Sequence, residues 1–266
     1  MLSNISFDVD GLWSALEFHK IKADPKKDLG IEEGIPRVLD ILKKEDVNAA
    51  FFLVGKNVEN YPETHKDIAE NHEIGNHSYS HNNELSLLSH EKIKEEIIKA
   101  HNLIKKHVKV TPKYFRGPKY QINGYILELL DKLNYSCDSS FMPSYYPRIT
   151  PVRNLLLKRR PHKVGKNLVE VPLSVNPILQ LYVNGSSVLA LGMPWLKFSM
   201  SMLKLFKLPL IINFHTEDFI KTPDVIIKHR HRLHEDSLPL LRKAINYINK
   251  NSRISTLEEI GKSYAP

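Results

Sequence analysis

Asp8-Val9-Asp10 near the start of the chain and His77-Ser78-Tyr79-Ser80-His81 further on supply two carboxylates and two imidazoles. Imidazole nitrogens with a carboxylate oxygen suit zinc and similar first-row ions. Three protein ligands leave a coordination position open, as catalysis needs. A structural zinc site takes four, usually with thiolates, and Cys137 is the only cysteine. Histidines at i and i+4 share one face of a helical turn or converge from a tight loop. From a strand end, Asp8 and Asp10 point the same way across Val9, so one can bind the ion while the other takes a proton from water. Each cluster alone also suits a helix cap or a polar surface turn. Together they favour a metal-dependent hydrolase over a binding module.

Short apolar runs that alternate with amphipathic stretches must position these groups. Residues 5–8, 49–54, 73–76, 114–116, 168–173 and 210–214 read as strands. Residues 35–44, 61–71, 124–133, 240–250 and a stretch from a Ser89 cap to about His107 read as helices. The β-α-β-α rhythm implies an α/β fold, a mainly parallel sheet with helices outside, whose chemistry gathers at the C-terminal ends of strands. Asp8, Asp10, His77, Arg116 and His215 all fall there. Arg116 is a cation that can keep a carboxylate base ionised, and His215 can serve as the general acid for a leaving group.

The 266 residues are 42% hydrophobic and 26% charged, which suits a single globular domain over 1–266. The net charge of +8 is spread through the helices. With neither an aromatic-interleaved RNA motif nor a basic recognition helix, nucleic acid is not an expected partner. An apolar strand that starts almost at Met1 leaves no room for a secretion leader, so the expected location is the cytoplasm or the cytoplasmic face of a membrane.

In order along the chain, these segments resemble the motifs of the polysaccharide deacetylase family, carbohydrate esterase family four, with its nodulation-protein-B homology domain. Ser6-Phe7-Asp8-Val9-Asp10-Gly11 is similar to the first motif, whose usual form has adjacent aspartates; a branch of the family has the spaced Asp-Val-Asp form. Residues 72–81 match the second motif closely. Arg116-Gly117-Pro118, Asp138-Ser139-Ser140 and Phe214-His215 resemble the third, fourth and fifth. The resemblance implies a distorted (β/α) barrel with mainly parallel strands and outer helices. It makes Asp8 the base, positioned by Arg116, and Asp10, His77 and His81 the ligands of one divalent metal, zinc by preference. His215 becomes the acid, and Asp138, Asp218 and Glu170 remain open as the residue that tunes it. The implied reaction is hydrolysis of an N-acyl group on an amino sugar or glycan, with N-acetyl the first expectation.

Two segments bear on the substrate. From Trp195, helical spacing gives an arc of Trp195, Phe198, Met202, Leu203 and Phe206, with Lys197, Lys204 and Lys207 on one side. Such a helix either packs on the sheet, the favoured reading, or makes peripheral membrane contact through residues 196–208 (Leu196 to Leu208). The run His229-Arg230-His231-Arg232, with His234, is either a solvated turn or an anion site. A lipid-phosphate-linked sugar fits the second option in each case. The alternatives are deformylation of a lipid-linked amino sugar, hydrolysis of another small amide, and a degenerate domain that binds metal and glycan without turnover.

Overall fold

The computed structural model describes residues 1–144, 158–220 and 237–265. Along these run β1 (Leu2–Val9), α1 (Leu12–Phe18), α2 (Ile35–Lys44), β2 (Ala50–Leu53), α3 (Gly55–Asn60), α4 (Pro62–Ala69), β3 (Glu73–Asn76), α5 (His90–Leu103), β4 (Tyr114–Phe115) and α6 (Gly124–Lys132). There follow β5 (Cys137–Asp138), β6 (His162–Lys163), β7 (Val169–Glu170), α7 (Gly185–Leu205), β8 (Leu210–His215), α8 (Leu238–Asn251), β9 (Arg253–Ile254) and α9 (Leu257–Tyr264). The basic run at 229–232 and His234 lie outside the described residues.

The strands form one sheet in the order β6-β7-β5-β4-β3-β2-β1-β8, with β9 paired to the start of β1. Every pairing between these strands is parallel except β6 with β7. The sheet curls into a half-barrel with the helices against it, the distorted (β/α) barrel expected from the sequence.

β1 lies between β2 and the terminal strand β8 and is buried on both faces. Side chains alternate across a strand. Ile5, Phe7 and Val9 enter the main core, while Asn4, Ser6 and Asp8 point the other way and are equally buried. β8 repeats the pattern: Leu210, Ile212 and Phe214 join the same core, and Asn213 and His215 fall on the other face. Phe7 stacks on Phe51 and Phe214 at 5.1 and 5.7 Å between ring centres, with Phe219 edge-on at 6.5 Å. One sheet face is thus oil and aromatic ring, and the other carries polar groups sheltered by the curl.

Helix α7 answers one sequence question. Trp195 and Leu203 of the apolar arc, together with Leu196 and Met200, are buried in the main core, so this side of the helix packs within the protein, and the helix contacts β8 and α8. Phe198, Leu205 and Phe206 stay exposed, and the helix ends at Leu205, before Lys207. No helix among the described residues is long and apolar enough to cross a membrane.

Removing the ring that joins β1, β2 and β8 leaves a cavity the packed sheet cannot close. Phe7→Ala is expected to cost about 3–5 kcal/mol in chemical denaturation, with the midpoint shifted and the m-value retained.

Candidate active site

The functional residues meet where β1, β3, β4 and β8 end. Asp8 is paired in register with His215 across β1 and β8. After Val9 the chain leaves the strand, and Gly11 at φ 79° turns it into α1. A side chain at Gly11 would also meet the Trp13 ring at 2.8 Å. Asp10 is therefore placed just beyond the strand tip.

The histidines come from a loop rather than a helix. His77 follows β3, and Ser78 and His81 have left-handed backbones, at φ 62° and 54°. Such conformations persist in non-glycine residues only where the surroundings hold them. Asn76 Oδ1 accepts the Ser78 N–H at 2.9 Å. Glu96 on α5 accepts the Tyr79 and Ser80 amides at 3.1 and 2.9 Å and the Ser80 hydroxyl at 2.7 Å.

His77 Nε2 lies 3.2 Å from Asp10 Oδ1, and His81 Nε2 lies 3.2 Å from Asp10 Oδ2. All three residues are buried, and their donor atoms fall within 4.8 Å of one another. His77 Nδ1 is 2.6 Å from the Arg116 carbonyl. A carbonyl only accepts, so Nδ1 carries the proton and Nε2 turns its other face to Asp10. A neutral His77 then opposes a nitrogen lone pair to a buried carboxylate. Protonation relieves this. Burial works against charge on His77, but Asp10 and then Asp8 outweigh it and raise its pKa. Burial likewise works against charge on Asp10, and His81 and His77 hold its carboxyl well below the usual range. A divalent cation between the three relieves the same conflict without protons. Asp10 Oδ1 is buried with no properly aligned hydrogen bond, so the donor set fits such an ion.

Asp8 is held from both sides. Arg116 Nη1 donates to Oδ1 at 2.6 Å, and Asn213 Nδ2 donates to Oδ2 at 3.1 Å. Arg116 is fully buried and stacks over the Phe52 ring at 4.0 Å. Three more of its N–H groups donate to Ser6 Oγ, the Ser139 carbonyl and Ser139 Oγ at 3.0, 3.0 and 3.1 Å. Asn213 Nδ2 also donates to Tyr120 Oη at 3.0 Å. Tyr120 follows a tight turn in which Lys119 and Tyr120 are both left-handed, and a side chain at Gly117 would meet the Gln121 carbonyl oxygen at 2.0 Å.

His215 Nε2 faces Asp8 Oδ2 at 3.9 Å and Asp10 Oδ2 at 3.8 Å, and its Nδ1 lies 3.6 Å from Asp218 Oδ2. Burial disfavours its charge, but Asp218, Glu217 and Asp10 outweigh that and push its pKa up to about 10. Of the three acids left open by the sequence, Asp218 is the one against the ring. Asp138 and Glu170 are fully buried as a hydrogen-bonded pair, and burial pushes both carboxyls up, Glu170 well above its ordinary range. Asp138 Oδ1 accepts the Ser140 hydroxyl at 2.6 Å, and Ser140 Oγ accepts the Gly117 N–H at 2.9 Å. This pair braces the turn after Arg116.

All six expected site residues therefore converge except that Arg116 lies behind Asp8, outside the cleft wall. Asp8, Asp10, His77, His81 and His215 line a cleft of about 770 Å³, with Lys119, Tyr120, Tyr182 and Asn184 among its other walls. That volume accommodates a sugar-sized ligand. Asn213 and Tyr120 were not singled out by the sequence reading. The signal for Asn213 was an amide two residues before His215 on an otherwise apolar strand.

The molecule is thus a curled, mainly parallel sheet of (β/α)-barrel type whose strand ends carry an Asp-His-His cluster able to hold a metal ion and, beside it, a braced aspartate. The sequence model of the family described as Polysaccharide deacetylase matches residues 26–137. A peptidoglycan-N-acetylglucosamine deacetylase of Bacillus cereus is 39% identical over 111 residues, 41% of this chain and 38% of that protein. The chain thus spans about two fifths of that curated relative. A putative polysaccharide deacetylase from Mycobacterium smegmatis has the same fold, with TM-score 0.72 over 99% of this chain and 89% of that one at 19% identity. A CE4 family pseudoenzyme from Bacillus anthracis superposes with TM-score 0.57 over 98% of this chain and 64% of that one at 18% identity. Over the matched segment this chain is similar to the polysaccharide deacetylases, and over nearly its whole length it has the fold of solved members.

The donor set makes a direct prediction. Purified protein treated with chelator and titrated with zinc should take up one equivalent, read by calorimetry or elemental analysis. Asp10→Ala and His77→Ala should each weaken uptake by at least about a hundredfold, beyond the range seen for outer-sphere changes. Unchanged uptake in both variants would rule out the cluster as the site.

Proposed function

We propose that the chain is a metal-dependent hydrolase that removes an N-acyl group, N-acetyl in the first instance, from an amino sugar of a glycan. The observation that carries this reading is the division of labour between the two aspartates. Asp10 faces both histidines, whereas Asp8 is turned away from them, gripped by Arg116 and Asn213, and still opens on the cleft. A degenerate metal-binding domain has no use for the second carboxylate or its brace. Named deacetylation of N-acetylglucosamine in the Bacillus cereus relative supports the substrate class.

Asp10, His77 and His81 hold the ion, for which zinc is the proposed identity. When bound, it polarises the scissile carbonyl and lowers the pKa of water at the site. Asp8 accepts the proton from the attacking water. Arg116 and Asn213 fix both of its oxygens, so the carboxylate is aimed before substrate arrives. His215 then gives a proton to the departing amine nitrogen. Its raised pKa keeps it charged for that task. A bound cation cancels Asp10's share of that raise, and Asp218 and Glu217 still supply theirs. The products are a free sugar amine and a small acid.

An amino sugar carried on a lipid phosphate is the finer form of this substrate. It draws support from the exposed Lys204, Leu205, Phe206 and Lys207 at the end of α7, the helix whose start leads from the cleft wall at Asn184.

Asp8→Asn should keep the metal and lose turnover by at least about a hundredfold, as expected for removal of a general base. Full activity in that variant overturns the assignment of the base. Released acid, acetate against formate, measured on a panel of glycan-, nucleotide- and lipid-linked N-acylated sugars identifies the acyl group. No release from any of them overturns the reading.

Asn213→Leu should lower kcat by about ten- to a hundredfold, the worth of one hydrogen bond to a charged group, with KM little changed. An equal loss in a mere packing defect would instead track the melting temperature.

A further inference from the structure

We propose that the face formed by residues 158–160, the hairpin around Pro177 to Leu181, and the end of α7 docks on an anionic lipid bilayer beside the mouth of the cleft. Between Lys158 and His215 the sequence contains a single acidic residue, Glu170, and it is fully buried. The exposed charge over that whole stretch is therefore of one sign, which is the complement of an anionic surface.

The same face is unusually apolar for a solvated surface. Val175 and Tyr182 bridge as an antiparallel pair, and the tip between them carries Ile178 and Leu179, exposed at 55% and 51%. Leu205 is 70% exposed and Phe206 47%. Phe198 is exposed as well and lies on the same side of α7 as Leu205, at seven-residue spacing. Scattered apolar residues on a surface mean little, but a contiguous group does.

Three hydrogen bonds show that these pieces are neighbours. Arg159 Nη1 donates to the Pro177 carbonyl at 3.0 Å, Arg160 Nη2 to the Phe206 carbonyl at 3.2 Å, and Asn176 Nδ2 to Ser199 Oγ at 3.3 Å. The two arginines join the hairpin tip to the end of α7. Lys204 and Lys207 flank the apolar residues there, and both are exposed. Bulky apolar side chains ringed by long cations are the composition that enters a headgroup region, where the rings and aliphatic chains reach the acyl boundary and the cations meet lipid phosphates. A soluble polyanion would engage the cations and leave the apolar residues in water, so the bilayer accounts for more of the surface.

The position also has a consequence for access. Tyr182, which closes the hairpin, and Asn184 and Ser186, which lead into α7, line the cleft. A bilayer seated on the hairpin tip lies at the rim of the site. A substrate anchored in that bilayer would meet the cleft without leaving the membrane. Docking itself does not depend on the proposed reaction.

The test is flotation of the full chain with vesicles of phosphatidylcholine alone or with about one-third phosphatidylglycerol, at about 100 mM salt. The wild type is expected to float with the anionic vesicles and not with the neutral ones. A basic residue near such a surface is worth about fivefold in partitioning, so Lys204→Glu/Lys207→Glu should reduce it at least tenfold. Leu179→Ser/Phe206→Ser should also reduce it at least tenfold. None of these four residues lies in the cleft, so hydrolysis of a water-soluble substrate should be unchanged, and circular-dichroism melting should show both double variants folded. Failure of the wild type to float overturns the proposal. So does flotation of both variants like the wild type. Binding to heparin, with the apolar variant still floating normally, would reassign the face to a soluble polyanion and equally overturn it. Loss of docking with retained turnover separates this proposal from the hydrolase reading, as does docking by a protein with no turnover.

Discussion

Arg116 is a guanidinium with no access to water, and the rest of the site is arranged around that fact. A buried cation is tolerated only when its partners are complete. Here they come from β1, from the loop after β5 and from the Phe52 ring on β2. Closing this shell requires the sheet to curl enough to bring Ser139 and Asp8 to one side chain. The same residue's carbonyl accepts the hydrogen bond of the His77 Nδ1–H. One residue thus fixes the carboxylate proposed as the base and also orients a histidine of the candidate metal cluster. The two halves of the chemistry are coupled through a rigid group rather than through a flexible loop.

The polar face of the sheet is the price of that arrangement. Asn4, Ser6, Asp8 and Asn213 would each cost stability if left alone in the interior. Each is instead tied to a neighbour: Asn4 to the Ser255 carbonyl, Ser6 to the Ile212 carbonyl and Arg116, and Asn213 to Asp8 and Tyr120. On the opposite face, Phe7, Phe51 and Phe214 supply the burial that offsets this cost. The alternation of a single strand, β1, therefore separates stability from function.

That alternation also explains what could be read in advance. β3 and α2 matched the sequence reading to the residue: clear amphipathic periodicity marks α2, and β3 runs directly into the histidine cluster. Helix α1 was missed: it is short, and no side chain caps its start. Strand β9 has two residues and is defined by its pairing to β1, which no local signal announces. Among site residues, those with titratable side chains at strand ends stood out. Asn213 and Tyr120 act by hydrogen bonding to a group far away in the chain, and their types alone are common in structural roles. The period of two did contain Asn213, since a polar residue at that place on β8 had to face the same side as His215. Asp218 became distinguishable from Asp138 and Glu170 only when the fold put it against the His215 ring and buried the other two together.

Val9 shows why the spaced aspartate pair works in this sheet. Adjacent residues on β1 face opposite sides, and Val9 is buried in the main core with its carbonyl accepting Asn57 Nδ2 at 2.8 Å. Its anchorage pins the last turn of the strand. Asp8 then faces Arg116 and Asn213, and Asp10, one step past the strand end, comes round to the same side. The gap between the two carboxylates is filled by a core residue. The proposed base and the proposed ion ligand are thus separated by about the two-residue repeat of a strand, some 7 Å along the backbone, close enough to serve one substrate and far enough that Asp8 keeps its own set of partners. A spacer that left the core would free both aspartates at once. The valine therefore belongs to the site as fully as the residues it separates.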